Sequence, residues 1–259
     1  MKSQAGNQVS DWLVGLGRIT LLAKESASAL CTLKAGRRDL LQQLHFMGVK
    51  SQSVVLITGA FTGMVLCVQA YLQFHKIKMD TAALAFVSVS MCDELGPVLT
   101  GLMVAGRVGA AIAAELGTMR VTEQIDALRT LATHPVDYLV APRIVALLIA
   151  MPLLTVEAMA IGIGSAYFVG SVLMNIDSTY LWENMLKYTG AVDVIIGLIK
   201  AFFYGGIVAL IGCYKGMYCG EGAVGVGRAT TESVVYSSIT ILIANFFLTL
   251  SIGMLLKLL

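Results

Sequence analysis

The residues best equipped for chemistry lie in the stretch MCDELGPVLTGLMVAGR, Met91 to Arg107, where Asp93 and Glu94 adjoin and Pro97 follows. Two carboxylates can serve as acid and base, hold a cation or carry protons. Consecutive helical residues point about 100° apart, so these two cannot do one job in the same way. Proline cannot donate to the carbonyl of Asp93, which predicts a kink or break beside the acids. Broken backbone at membrane depth is tolerated only against protein or a wet cavity. Two readings follow: a polar, partly hydrated cavity beside Glu94, or acids that pair with a neighbouring helix and cap the kink.

No other constellation amounts to an active site. The histidines His45, His75 and His134 lie far apart, and Cys31, Cys67, Cys92, Cys213 and Cys219 form no CxxC. They read as reduced, small apolar residues, and no metal site is expected. The chain carries no GxxxxGK[ST] and no GxSxG, which excludes a P-loop ATPase and gives no sign of a serine hydrolase. GEGAVG, Gly220 to Gly225, matches GxGxxG but follows an apolar helix instead of a strand, so it reads as a turn.

The elements that must position Asp93 and Glu94 are membrane helices. Of 259 residues, 57% are hydrophobic and 13% charged, with mean hydropathy +0.81, far from the composition of a soluble domain. The net charge of +2 offers no footprint for nucleic acid. A span needs about 20 apolar residues, and five segments qualify, near 53–73, 82–105, 143–169, 191–213 and 234–256. Both acids fall in the second, where each charge costs about 2.5–3.5 kcal/mol unless protein or water receives it. Outside the spans, thirteen Lys and Arg fall on the side of the N-terminus and four on the other, with Lys200 left inside the fourth span. The positive-inside rule puts the N-terminus in the cytoplasm and the C-terminus outside.

Residues 1–50 read as a cytoplasmic or interfacial helical segment and 51–259 as the five-helix domain. Trp12, Leu16, Ile19 and Ala23 recur at helical spacing, as expected of an amphipathic helix in the membrane interface or on the protein's own cytoplasmic face. No apolar core of signal-peptide length follows the basic start. Gly59 and Gly63 make a GxxxG frame in the first span. Gly101, Ala105, Gly109, Ala113 and Gly117, all four apart, form a small-residue ridge that predicts close packing from the second span into the cytoplasm. A short amphipathic helix is expected at about 118–132, ending before His134-Pro135. Val121, Ile125, Leu128 and Ala132 share one face, and Glu123, Gln124, Asp126 and Arg129 occupy others. It suits either a lever that receives force from a partner or a solvated linker.

The motifs GMVLCVQAYL, DELGPVLTGLMVAGRVGAAIAAELGTMRVTEQIDAL, HPVDYLVAPR, PLLT, NIDSTYLW and GRATTESVVYSS, spread over roughly residues 45–250, closely resemble the MlaE family of ABC-transporter permeases. YrbE proteins and plastid lipid-import permeases are relatives. The resemblance implies an all-α integral membrane protein with an N-terminal interfacial helix, five transmembrane helices and a cytoplasmic coupling helix between the second and third. It implies a homodimer carrying two cytoplasmic ATPase subunits, a hexameric MCE-domain ring on the far side and, in some systems, a STAS-domain subunit. ATP and magnesium would be bound by the ATPase, and no cofactor by this chain.

On this resemblance Val121, Glu123, Gln124, Ile125, Leu128 and Arg129 dock on the ATPase, and Leu66, Gln73, Phe74, Ile77, Asp93, Glu94 and Leu95 line a lipid cavity. Pro97, Gly101, Ala105 and Gly109 shape the helix that joins them. One departure stands out: an arginine precedes the glutamate in the family, where this chain has Asp93, so a cation facing lipid phosphate is lost. The expected function is passage of phospholipid between the bilayer and an MCE partner, driven by ATP hydrolysis elsewhere, with no catalysis by this chain. The rivals are a proton- or ion-coupled carrier using Asp93 and Glu94, and a non-conducting scaffold for MCE proteins. Neither an even span count nor an inverted repeat supports the carrier. The expected location is a bacterial inner membrane, since no transit peptide argues for a plastid envelope.

Overall fold

The computed structural model describes residues 17–256 apart from 18, 27 and 29–36. Trp12 and Leu16 of the expected interfacial helix lie outside the described residues. Residues 19–26 are helical, with Leu22 buried and Ile19 and Ala23 half-buried.

Seven helices follow: α1 (Asp39–His75), α2 (Ala83–Val121), α3 (Gln124–Thr130), α4 (Val136–Leu173), α5 (Ser178–Tyr188), α6 (Ala191–Met217) and α7 (Gly222–Leu256). Five of them, α1, α2, α4, α6 and α7, are long and apolar enough to cross a membrane, and among the described residues there is no strand. At 37–39 residues, α1, α2 and α4 run about 55–60 Å, well beyond the roughly 30 Å of hydrocarbon. The hydropathy windows found their apolar middles; the start of α1, the end of α2 and the start of α4 continue beyond them at the end of the bundle that carries α3. This end also holds the α6–α7 turn. The other end holds α5 and the α1–α2 turn.

Helix α2 occupies the centre, packed against α1, α4, α6 and α7. Helices α1 and α4 run side by side at close range. A Cβ on Gly59 would stand 2.9 Å from the carbonyl oxygen of Ala158, and one on Gly63 would collide with Gly162. The GxxxG frame therefore serves α4 within the same chain. The small-residue ridge also finds its partners: Gly101 lies under Tyr204 and Ile241, Gly109 under Val208 and Ser233, and Gly117 under Val226 and Cys219. Its whole length is buried against α6 and α7.

Among the described residues wide π-turns lie inside α1 at His45–Val49 and inside α2 at Met91–Leu95 and Ala105–Gly109, and they form the first and last turns of α4, Val136–Val140 and Val169–Leu173. Each inserts one residue and resets which side chains face inward. The Ala105–Gly109 turn lies within the ridge and takes up part of its angular drift. The expected single helix over 118–132 is in fact two. Residues 118–121 complete α2, and Glu123, at φ 58°, turns the chain into α3. Its left-handed backbone cannot continue a right-handed helix.

Candidate functional site

The π-turn at Met91–Leu95 is where DELGP does its structural work. Pro97 has no N–H for the carbonyl oxygen of Asp93, and its ring crowds that position. The backbone keeps right-handed dihedrals through the turn, Gly96 bonding back to Met91, so α2 continues without breaking. The orphaned carbonyl of Asp93 is instead met by Lys200 of α6, whose Nζ donates to it at 2.8 Å. Proline thus converts an internal helical acceptor into an interhelical one.

Lys200 reaches that carbonyl because Gly197, one turn earlier on α6, has no side chain. A Cβ there would strike the carbonyl of Cys92 and the methyl of Met159. The same ammonium donates to Glu94 Oε1 at 2.6 Å and to Thr249 Oγ1 at 3.0 Å. Thr249 donates to Glu94 Oε1 at 2.8 Å, and Asn245 Nδ2 to Glu94 Oε2 at 2.9 Å. Tyr204, fully buried on α6, donates its hydroxyl to Asn245 Oδ1 at 2.7 Å. The amide orientation is self-consistent, since its NH2 faces a carboxylate and its oxygen a hydroxyl. One network therefore ties α2, α6 and α7 together about 16 Å into α2, near mid-bilayer.

The network is asymmetric. The Lys200 side chain is 1% exposed and that of Glu94 35%; Thr249 is exposed and Asn245 half-buried. Its open side is the face of α2 between α1 and α7. A charge facing hydrocarbon there is expensive, so this face calls for protein or water against it. Asp93 does not join through its carboxylate: Oδ1 is buried without a hydrogen bond, and only its backbone binds Lys200.

The structure divides the other expected cavity residues. Leu66, Phe74 and Leu95 pack on one apolar cluster built from Cys67, Ala70, Leu84, Val87 and Met91. Phe74 meets Phe86 edge-on at 5.9 Å. Gln73 and Ile77 are exposed at the α5 end. Among the expected docking residues, Ile125 is buried, Leu128 half-buried and Val121, Glu123, Gln124 and Arg129 exposed. Asp126 Oδ2 accepts from Arg120 at 2.9 Å and Oδ1 from Arg129 at 2.9 Å, bracing α3 on the end of α2. Arg143, 3% exposed, pairs with Glu115 at 2.9 Å and holds α4 to α2 at the same end.

Asn245, Thr249 and Tyr204 were not singled out by sequence reasoning. Their signal was available: Asn245 and Thr249 stand four apart in the mostly apolar second half of α7, and Lys200 is a charge inside a span. Among the described residues no group of His, Cys, Asp and Glu is arranged to hold a metal.

Comparison with known proteins agrees with this architecture. The family described as Permease MlaE matches residues 40–251. A Rickettsia felis protein named as an ABC transporter permease is 43% identical over 247 residues, covering 95% of both chains. The intermembrane phospholipid transport system permease protein MlaE of Haemophilus influenzae is 35% identical over 248 residues, again 95% of each. The chloroplast protein TRIGALACTOSYLDIACYLGLYCEROL 1 of Arabidopsis thaliana is 37% identical over 82% of this chain and 61% of its own.

Proposed function

The chain belongs to the MlaE permease family, and we propose that it is the membrane half of an ATP-driven phospholipid transporter. Two copies enclose a lipid-accessible cavity between the α1, α2 and α7 faces. Cytoplasmic ATPase subunits supply ATP and magnesium chemistry, and an MCE-domain ring on the other side receives or delivers the lipid. The N-terminal side is cytoplasmic, in an inner membrane, which puts α3 on the ATPase side. There the exposed flank of α3, with Glu123, Gln124 and Arg129, is the docking surface, and its buried Ile125 passes movement to α2.

The observation that carries this reading is the polar network of Glu94, Lys200, Asn245 and Thr249 opening at membrane depth on the groove face of α2. Lipid tails alone would leave it uncompensated. Leu66 and Leu95 supply apolar wall near it, as an acyl chain requires. A carrier that shuttles protons on Glu94 is less well served, because three donors from two other helices already fix this carboxylate.

The test is reconstitution of the chain into vesicles with its ATPase and a fluorescent phospholipid. Transfer should require ATP and fall to background with Leu66→Trp, which fills the cavity wall while the protein remains folded. The chain purified alone should hydrolyse no ATP. Transfer that persists without the ATPase and collapses with the proton gradient would replace this reading with the coupled carrier. Undiminished transfer by Leu66→Trp would remove the cavity from it.

A further inference from the structure

The membrane-depth network offers a headgroup carboxylate acceptors and neither a free cation nor a free hydroxyl donor. Lys200 has three ammonium protons, and all three are spent, on Asp93 O, Glu94 Oε1 and Thr249 Oγ1. The Thr249 hydroxyl proton goes to Glu94 Oε1. The Tyr204 hydroxyl is spent on Asn245, which itself donates to Glu94 Oε2. Every cation and hydroxyl donor named here therefore points into the network. Exposure follows the same division: the ammonium is 1% exposed, the carboxylate it neutralises 35%. Glu94 Oε2 accepts one bond and keeps a lone pair on the open side.

Position 93 adds to the bias. The side chain there is a second carboxylate, and its Oδ1 has no hydrogen-bond donor. One buried cation thus stands against two carboxylates. A headgroup arriving at this face meets the part-exposed Glu94 carboxylate, while the buried Asp93 Oδ1 adds negative charge without touching it; no cation is free to receive a phosphate.

Resting on the reading that this face lines the lipid cavity, we propose that the buried Lys200–Glu94 pair selects the headgroup class. It favours a zwitterionic phospholipid whose primary ammonium donates to Glu94 and disfavours headgroups bringing only net negative charge. Lys200 acts as a positioning residue: it holds Glu94 ionised and turned outward without touching lipid.

The full-length chain, purified in detergent, is equilibrated with equimolar phosphatidylethanolamine and phosphatidylglycerol. It is then recaptured, and bound lipid is quantified by mass spectrometry. The chain should enrich phosphatidylethanolamine by about threefold to tenfold, the span of one charge-assisted hydrogen bond partly offset by solvation. Glu94→Gln should bring the ratio close to one. Because that variant leaves Lys200 without its counter-ion, the double variant Glu94→Gln with Lys200→Met is the decisive one. It should remain folded and lose the preference, the phosphatidylethanolamine it holds falling to the level of phosphatidylglycerol. A preference that survives in the folded double variant overturns the inference, as does equal binding or preference for phosphatidylglycerol by the unaltered chain. Those outcomes leave the lipid cavity standing. Absence of bound lipid from the unaltered chain would overturn both.

Discussion

At the scale of single residues, the energetics turn on one question: what becomes of a charge left in the membrane when its partner is removed. Lys200 and Glu94 are 2.6 Å apart with one end fully buried, so truncating the lysine strands a carboxylate at mid-bilayer. Lys200→Met should destabilise the folded chain by about 2–4 kcal/mol, the cost of breaking a buried pair from one side. The Glu94→Gln, Lys200→Met double variant should recover at least half of that, since replacing both charges removes the uncompensated group. Thermal unfolding of the four proteins in one detergent closes the cycle; an additive double variant would mean the pair is not energetically coupled. Much of this site was legible beforehand. Glu94 and Pro97 were conspicuous from type and spacing, and Lys200 as a charge inside a span. Their convergence was not, because Glu94 meets partners 106, 151 and 155 positions away, and one sequence carries no record of such distances. The proline was read as a place where the helix kinks or breaks; it does not break, because a π-turn and a lysine from α6 absorb the missing donor.

At the scale of elements, glycine decides how closely helices lie, and the local surroundings decide which glycines matter. Gly197 and Gly164 both sit inside apolar helices, yet a Cβ on Gly197 would collide with Cys92 and Met159, and one on Gly164 meets nothing within 4 Å. Gly197→Ala should push α6 off α2, draw Lys200 from the Asp93 carbonyl and cost about 1–3 kcal/mol. Gly164→Ala should be neutral or stabilising by up to about 1 kcal/mol, because alanine is the better helix former. Melting temperatures of the two variants moving by the same amount would refute this account of the α2–α6 contact. The five spans and the buried ridge were readable from hydropathy and four-residue spacing, which report local periodicity. The π-turns and the break at Glu123 were not. Both follow from tertiary contacts and from a left-handed backbone that nothing in the residue type demands.

At the scale of the molecule, burial is uneven in a way that predicts assembly. Only 6% of the apolar window of α7 and 28% of that of α1 are buried, against 50% for α2 and α4 and 44% for α6. Lipid can satisfy apolar surface, so low burial alone demands no partner. The exposed edge of the network lies between those two helices, however, and lipid cannot satisfy Glu94 and Thr249. A second copy placed over the groove would cover the apolar flanks of α1 and α7 and shut the polar face into a protein-walled, wet interior. Native mass spectrometry of the chain released from detergent should therefore find two copies. Thr249→Leu with Asn245→Leu, which strips polar groups from that edge, should weaken dimers less than a charge placed on the apolar flank, such as Phe246→Glu. A single chain at all concentrations would mean that the groove is closed by a different protein, and the cavity would then belong to a heteromeric assembly.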